Sequence, residues 1–359
     1  RKLFFSKSRI RCLHGFENRW PTVFTAVDGR FKFVAFSAQK GGRTESFKCA
    51  FMEHDPERLP AIHENALIMK AEDVQRFSPE ALCLMEFKSQ KALNISSKIY
   101  ISSLLIGPDM GLTVAREIDL TGHSPILSTK EIEGPKLFEG KMIWQFDCDF
   151  LNAHYWFYPE AYQEFYRKDS INRTIELEGY KRKELLKKTR NGTVELAPER
   201  YRLAFREVAA DTNERTFIST ILPQPSPHSY TIRTFEHYRP KLQDKDILYT
   251  DDYSLETICF WCGVSNSFSF DFLARIKTFT HLSTTYMDLP LTNKDEDKFR
   301  AKIAALVSRL ICVDKRFAYL WSIVYREEWK EPIFWYPNDG VTESSYGPSQ
   351  EKDIREKLK

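Results

Sequence analysis

The 359 residues include 42% hydrophobic, 14% aromatic and 29% charged side chains, a globular composition with length enough for two or three cores and too apolar for extensive disorder. A net charge of only +3 excludes a diffuse polycation, so any surface for nucleic acid has to be local. No apolar run is long enough to span a bilayer, no signal-peptide pattern opens the chain, and seven scattered cysteines make no disulfide framework, so a soluble cytoplasmic chain with reduced thiols and no membrane partner is expected.

The chain opens at Arg1 without methionine and enters Leu3-Phe4-Phe5 at once, as expected of a piece of a longer polypeptide. Residues 10–16, 22–27 and 31–37 read as strands, with Asp28-Gly29 as a two-residue turn between the second and third, and 47–52 reads as another. Lys40-Gly41-Gly42-Arg43 lacks the spaced glycines and following helix of a phosphate cradle. Asp73 followed by Glu86-Phe87-Lys88 imitates the Asp…Glu-x-Lys set of metal-dependent nucleases, in which two carboxylates hold Mg²⁺ and the lysine assists cleavage. Its spacing is loose.

From 138 to 150 a turn at Glu139-Gly140 is expected to lead into a strand. It puts Met142, Trp144 and Phe146 on one face and Lys141, Ile143, Gln145 and Asp147 on the other. Lys141 and Gln145 then share a face, either solvated or reaching phosphates and base edges. Residues 180–190 are the most basic stretch, with Lys181, Arg182, Lys183, Lys187, Lys188 and Arg190 against Glu184. Such a density releases counterions from DNA phosphates; a helix with Leu185 and Leu186 inward also keeps the same charges in water.

Residues 201–206 alternate, with Tyr201, Leu203 and Phe205 on one side and Arg202, Ala204 and Arg206 on the other. A polar corner at 211–214 and a second apolar run closing at Pro223 follow. Helices are expected over 255–263 and 268–276, the second burying Phe272, Leu273 and Ile276. Cys259-x-x-Cys262 falls in the first of them and reads as core packing, since no second cysteine pair lies nearby to complete a zinc site. A helix pair over 298–325 follows, and after Pro332 a turn-rich tail ends in a charged helix.

Four ordered stretches resemble large adenine-N6 DNA methyltransferases of the type IIG, BREX and DISARM kind. The first comprises Phe16, Glu17, Asn18, Arg19, Phe24, Asp28 and Arg30 to Phe33. The second is Gly140, Lys141, Met142, Gln145, Phe146 and Asp147. The third is Arg206, Asn213, Glu214, Arg215, Thr216 and Pro223, and the fourth runs from Ser265 to Ser267 and through Phe270, Asp271, Phe272, Leu273, Arg275, Lys277, His281, Leu282, Leu289 and Pro290.

The resemblance implies an α+β chain: the end of an α/β methyltransferase sheet (1–75), a linker (76–110), a mixed α/β target recognition domain (111–297) and a C-terminal helical segment (298–359). Arg206, Asn213, Arg215, Arg275, Lys277 and His281 then join Lys141, Gln145 and the basic stretch as DNA-binding candidates, although Arg215 on its own residues reads first as a buried brace for its turn with Glu214 and the backbone. The implied partner is double-stranded DNA, with other defence-system subunits besides. The implied cofactor is S-adenosylmethionine, yet neither its glycine loop nor the Asn/Asp-Pro-Pro-aromatic loop that holds a flipped adenine is present. A recognition portion without transfer activity of its own is therefore expected. The alternatives are a nuclease using Asp73, Glu86 and Lys88, or a non-catalytic specificity or assembly subunit.

Overall fold

Strand β1 (Ser8–Glu17) forms where alternation predicts it and pairs antiparallel with β2 (Lys32–Lys40) and parallel with β3 (Ser46–Glu53). β4 (Leu67–Lys70) completes the order β2-β1-β3-β4. The computed structural model describes residues 1–19, 23–210, 212–278, 285–293 and 297–326 of this α+β chain.

Two compact units divide it. The first comprises 1–111 with 272–279 and 284–294, and the second 112–271 with 280–283 and 295–359.

In the first unit, the expected strand over 22–27 is a loop as far as it is described, because the buried Asn18 side chain organises it locally. Its amide donates to the Phe24 and Val27 carbonyls at 2.9 Å and accepts from Phe24 N at 3.0 Å, so the backbone groups a strand would pair are already satisfied. Helix α1 (Lys2–Lys7) precedes the sheet, while α2 (Leu59–Glu64) and α3 (Ala71–Phe77) flank β4 in the chain. Residues 76–110, expected as a linker, carry α4 (Gln90–Ser102) and β5 (Ser103–Leu105), and β5 pairs with the later strand β14 (Pro290–Asn293). Gly41 and Gly42 join strand to strand with φ of 85° and 82°, a left-handed turn that opens no helix. Asp73 is engaged by Ser97 and Arg76, and Glu86 by Lys32, so each carboxylate of the nuclease-like set has partners of its own.

The second unit is built on an antiparallel sheet, β10-β9-β11-β6, comprising β6 (Thr113–Ala115), β9 (Arg202–Arg206), β10 (Ser219–Leu222) and β11 (Ile232–Glu236). The expected strand, polar corner and second apolar run is the β9–β10 pair. Phe205 stacks on Phe217 with ring centroids 4.9 Å apart, and Phe270 meets Phe217 edge-on at 4.8 Å. Short strands β7 (Leu127–Ser128) and β8 (Trp156–Phe157) lead to α5 (Pro159–Glu178), where Tyr162 and Tyr166 pack on Phe157, Leu137 and Ile118. Next come α6 (Arg182–Lys188) and the hairpin of β12 (Tyr238–Gln243) and β13 (Asp246–Asp251).

Both expected helices at 255–276 form, as α7 (Leu255–Ser265) and α8 (Phe268–Lys277). Phe270, Leu273 and Ala274 make the buried side of α8, whereas Phe272 and Ile276, expected inward with Leu273, are only half-buried. Cys259 and Cys262 are both fully buried in α7. The pair expected over 298–325 is α9 (Asp297–Ile311) and α10 (Ala318–Val324), and the tail after Pro332 lies outside the described residues. α9 comes so close to α7 that a Cβ on Gly263 would sit 2.4 Å from Ile303 Cγ2. No described helix is long and apolar enough to cross a membrane.

Candidate nucleic-acid interface

The basic stretch keeps all six of its cations on the surface. α6 has seven residues, too short to hold itself together in water, so its seat decides its geometry. Leu185, at 0% exposure, is the anchor, packed with Ile171 of α5 and Ile247 of β13, with Tyr180, Val194 and Leu242 around them. Leu186, expected inward beside it, is exposed instead, and so are Lys181, Arg182, Lys183, Lys187, Lys188 and Arg190. Lys188 pairs with Glu184 at 3.2 Å and lies over the Tyr180 ring, and Arg182 donates to Asn172 Oδ1 at 2.7 Å. Lys181, Lys183, Lys187 and Arg190 have no ion pair among the described residues.

Sequence reading missed one cation beside this patch. Gly192 lies against the hairpin tip, where a Cβ would meet the Lys245 carbonyl oxygen at 1.8 Å, and Thr193 N donates to Asp246 Oδ1 at 2.6 Å. This contact sets exposed Lys245 next to the end of the basic stretch. A glycine after a cationic run is the only hint the sequence offers, because the partner strand is remote in the chain.

Several of the remaining candidates turn out to be braces. Gly140–Met142 is a single 3-10 turn, Met142 and Ile143 are buried in succession, and Phe146 takes a φ of 63°, so the strand expected over 138–150 does not form. Lys141 therefore shares no strand face with Gln145 and lies 3.4 Å from Glu139, while Gln145 donates to the Asn266 carbonyl at 3.2 Å. Arg206 donates to the Ile143 carbonyl from Nε at 2.9 Å and Nη2 at 2.6 Å and stacks on Trp144, which ties β9 to this turn. Arg215 is also largely buried, over the Phe268 ring at 4.1 Å and 3.9 Å from Asp271, whose Oδ1 accepts from Thr216 N and Phe217 N. That is the brace reading of the motif, with Asp271 as partner.

Asn213 stays exposed at the corner and Arg275 is half-buried. Lys277, expected on the nucleic-acid side, is 6% exposed and donates to the Asp288 carbonyl at 3.1 Å and to that of Phe77. Burial lowers its pKa to about 8 against the pull of Asp288, and both carbonyls it meets belong to the first unit. His281 lies outside the described residues.

Beneath the second unit's sheet lies a buried charge cluster of another kind. Arg202 is 0% exposed and donates to Glu117 Oε1 and to the Ser226 carbonyl. Glu117 Oε2 also accepts from Tyr166 Oη at 2.7 Å and His228 N at 3.1 Å. Burial on its own would raise the Glu117 carboxyl, yet Arg202, with His228 and Tyr166, outweighs it and holds it at about 2. Burial pushes His228 and His237 down to about 4. As a neutral ring, His228 donates from Nδ1 to the Ser229 carbonyl at 3.0 Å and accepts at Nε2 from Thr234 Oγ1 at 3.1 Å.

These shifts fix an acid limb. An unfolded chain takes up protons on both histidines near 6.5, where the folded one refuses them until about 4. Stability is therefore full above that range and falls across it, by on the order of 3 kcal/mol per histidine. Glu117, ordinarily near 4.5 and here at about 2, adds a further loss below pH 4.5. Urea unfolding at pH 7, 5.5 and 4.5 should show the decline, and a flat profile would refute it.

The glycine loop expected to hold S-adenosylmethionine is not found among the described residues. No glycine-containing turn leads there from a strand into a helix, the arrangement that would offer it backbone N–H groups. No protein-family model matches this sequence, and no curated protein matches it.

Proposed function

We propose that this chain is the DNA-recognition portion of a site-specific adenine-N6 DNA methyltransferase of a restriction-modification or anti-phage defence system, with double-stranded DNA as its partner. The observation that carries this reading is the seat of α6: one buried leucine fixes the helix, and the six cations of the basic stretch stand on the surface with Glu184 as the only acid between Lys181 and Arg190. A net charge of +3 over the whole chain makes that local excess a feature of one surface. Such a surface gives affinity through phosphates and leaves base selection to other side chains, for which exposed Asn213 is a candidate. The four ordered stretches of the resemblance supply the methyltransferase part of the reading. Methyl transfer from S-adenosylmethionine would rest on residues this sequence does not contain, since it has no Asn/Asp-Pro-Pro-aromatic loop.

Fluorescence anisotropy of the full chain with labelled duplex across a salt series tests this. Binding that weakens steeply with salt is expected, and its absence at low salt would overturn the proposal.

A further inference from the structure

We propose that Cys12, His14 and His63 form a binding site in the first unit for a divalent transition metal of the zinc class. The site is independent of the DNA reading. Residues 12 and 14 are two apart on β1, so the strand's period puts both side chains on one side of the sheet. His63 comes from the last turn of α2. The ligand atoms of the three residues all lie within 4.8 Å of one another. A tetrahedral zinc with bonds of about 2.0–2.3 Å has ligand-to-ligand edges of roughly 3.4–3.8 Å, so modest side-chain rotation closes the set.

A second observation points to a ligand. His14 is 3% exposed, and its Nε2 is buried without a hydrogen-bond partner. An unmet buried nitrogen is destabilising, and metal coordination through its lone pair would remove that cost. The three side chains line a cavity of about 580 Å³ together with Ala35, Ser37 and Glu64. The open side leaves the fourth position to water. Lys48, the register partner of Cys12 on β3, donates to the His63 carbonyl at 3.3 Å and so ties the end of α2 to the sheet. Its charge opposes a dication, so the three donors have to hold the metal against it. One thiolate with two imidazoles is a donor set suited to zinc, and all three donors sit on regular elements.

Cobalt(II) serves as the probe. The full chain, stripped with chelator, is titrated with Co²⁺ and then with Zn²⁺. The expected result is saturable binding with visible d–d bands, a near-ultraviolet thiolate-to-cobalt band, and loss of both on adding zinc. Cys12→Ser should abolish the thiolate band, and Cys83→Ser, at an exposed cysteine, should leave it intact. His63→Gln should weaken cobalt binding by more than the roughly 10- to 100-fold that losing an outer-shell partner costs. Far-ultraviolet circular dichroism checks that each variant folds. A featureless titration of the folded parent, or a thiolate band that survives in folded Cys12→Ser, would overturn the site.

Discussion

Replacing Lys181, Lys183, Lys187 and Arg190 together with alanine should weaken duplex DNA binding by roughly 10²-fold or more near 0.1 M salt, and lower the slope of log K against log salt by about 3 to 4. These four are chosen because they are exposed and have no ion pair among the described residues, so their charge is fully available to phosphates. Lys188 shares its charge with Glu184, and Arg182 is held by Asn172. Each substitution is at an exposed position, where changes usually stay within about 0.5 kcal/mol, so lost binding should come without lost stability. Neutralising exposed Lys91 and Lys98 of the first unit is the control and should leave the slope unchanged. An unaltered slope in the quadruple variant would remove α6 from the interface.

Arg202→Ala should destabilise the second unit by about 3–5 kcal/mol, because it leaves the Glu117 carboxylate buried without its cation. Against a typical domain stability of about 5–15 kcal/mol this is a large fraction. Arg202→Lys should recover little, since a single ammonium cannot reproduce the fork that reaches both Glu117 and the Ser226 carbonyl. Adding Glu117→Gln to Arg202→Ala should restore part of the loss by removing the stranded charge. Denaturant midpoints followed by near-ultraviolet circular dichroism measure all three variants. A cost below about 1 kcal/mol for Arg202→Ala would show that the pair contributes no net stability.

Arg202 also shows where sequence reading runs out. The alternation of 201–206 suits a half-buried strand, and the strand forms, but not half-buried. β9 lies inside its sheet and residues 202–205 are all buried, so period-two patterning gives the element and not the environment. The partner of Arg202 is Glu117, 85 positions away, and no local pattern joins them. Lys277 misleads for the same reason: a lysine at the end of a helix reads as solvent-facing, and the carbonyls that draw it inward belong to Phe77 and Asp288.

At 138–150 the alternation is real, yet the 3-10 turn and the left-handed Phe146 break the run. Local chemistry was the legible part. Helices α7 and α8 form as expected, with the Ser254 side chain accepting from Thr257 N and the Ser267 hydroxyl from Phe270 N at their starts. The basic stretch was legible too, since surface charge needs no distant partner. Its neighbour Lys245 was hidden because only the close approach at Gly192 brings the hairpin tip there.

The division of labour within α6 has an evolutionary corollary. What keeps the helix in place is a leucine turned away from water, and what would meet a ligand is a row of side chains that contribute almost nothing to keeping it there. Such a surface can be rewritten one position at a time, gaining or shedding grip, while selection for foldedness registers no change. On the proposed reading a lineage could retune its hold on a polyanion rapidly, with Leu185 as the one letter of α6 it cannot freely respell.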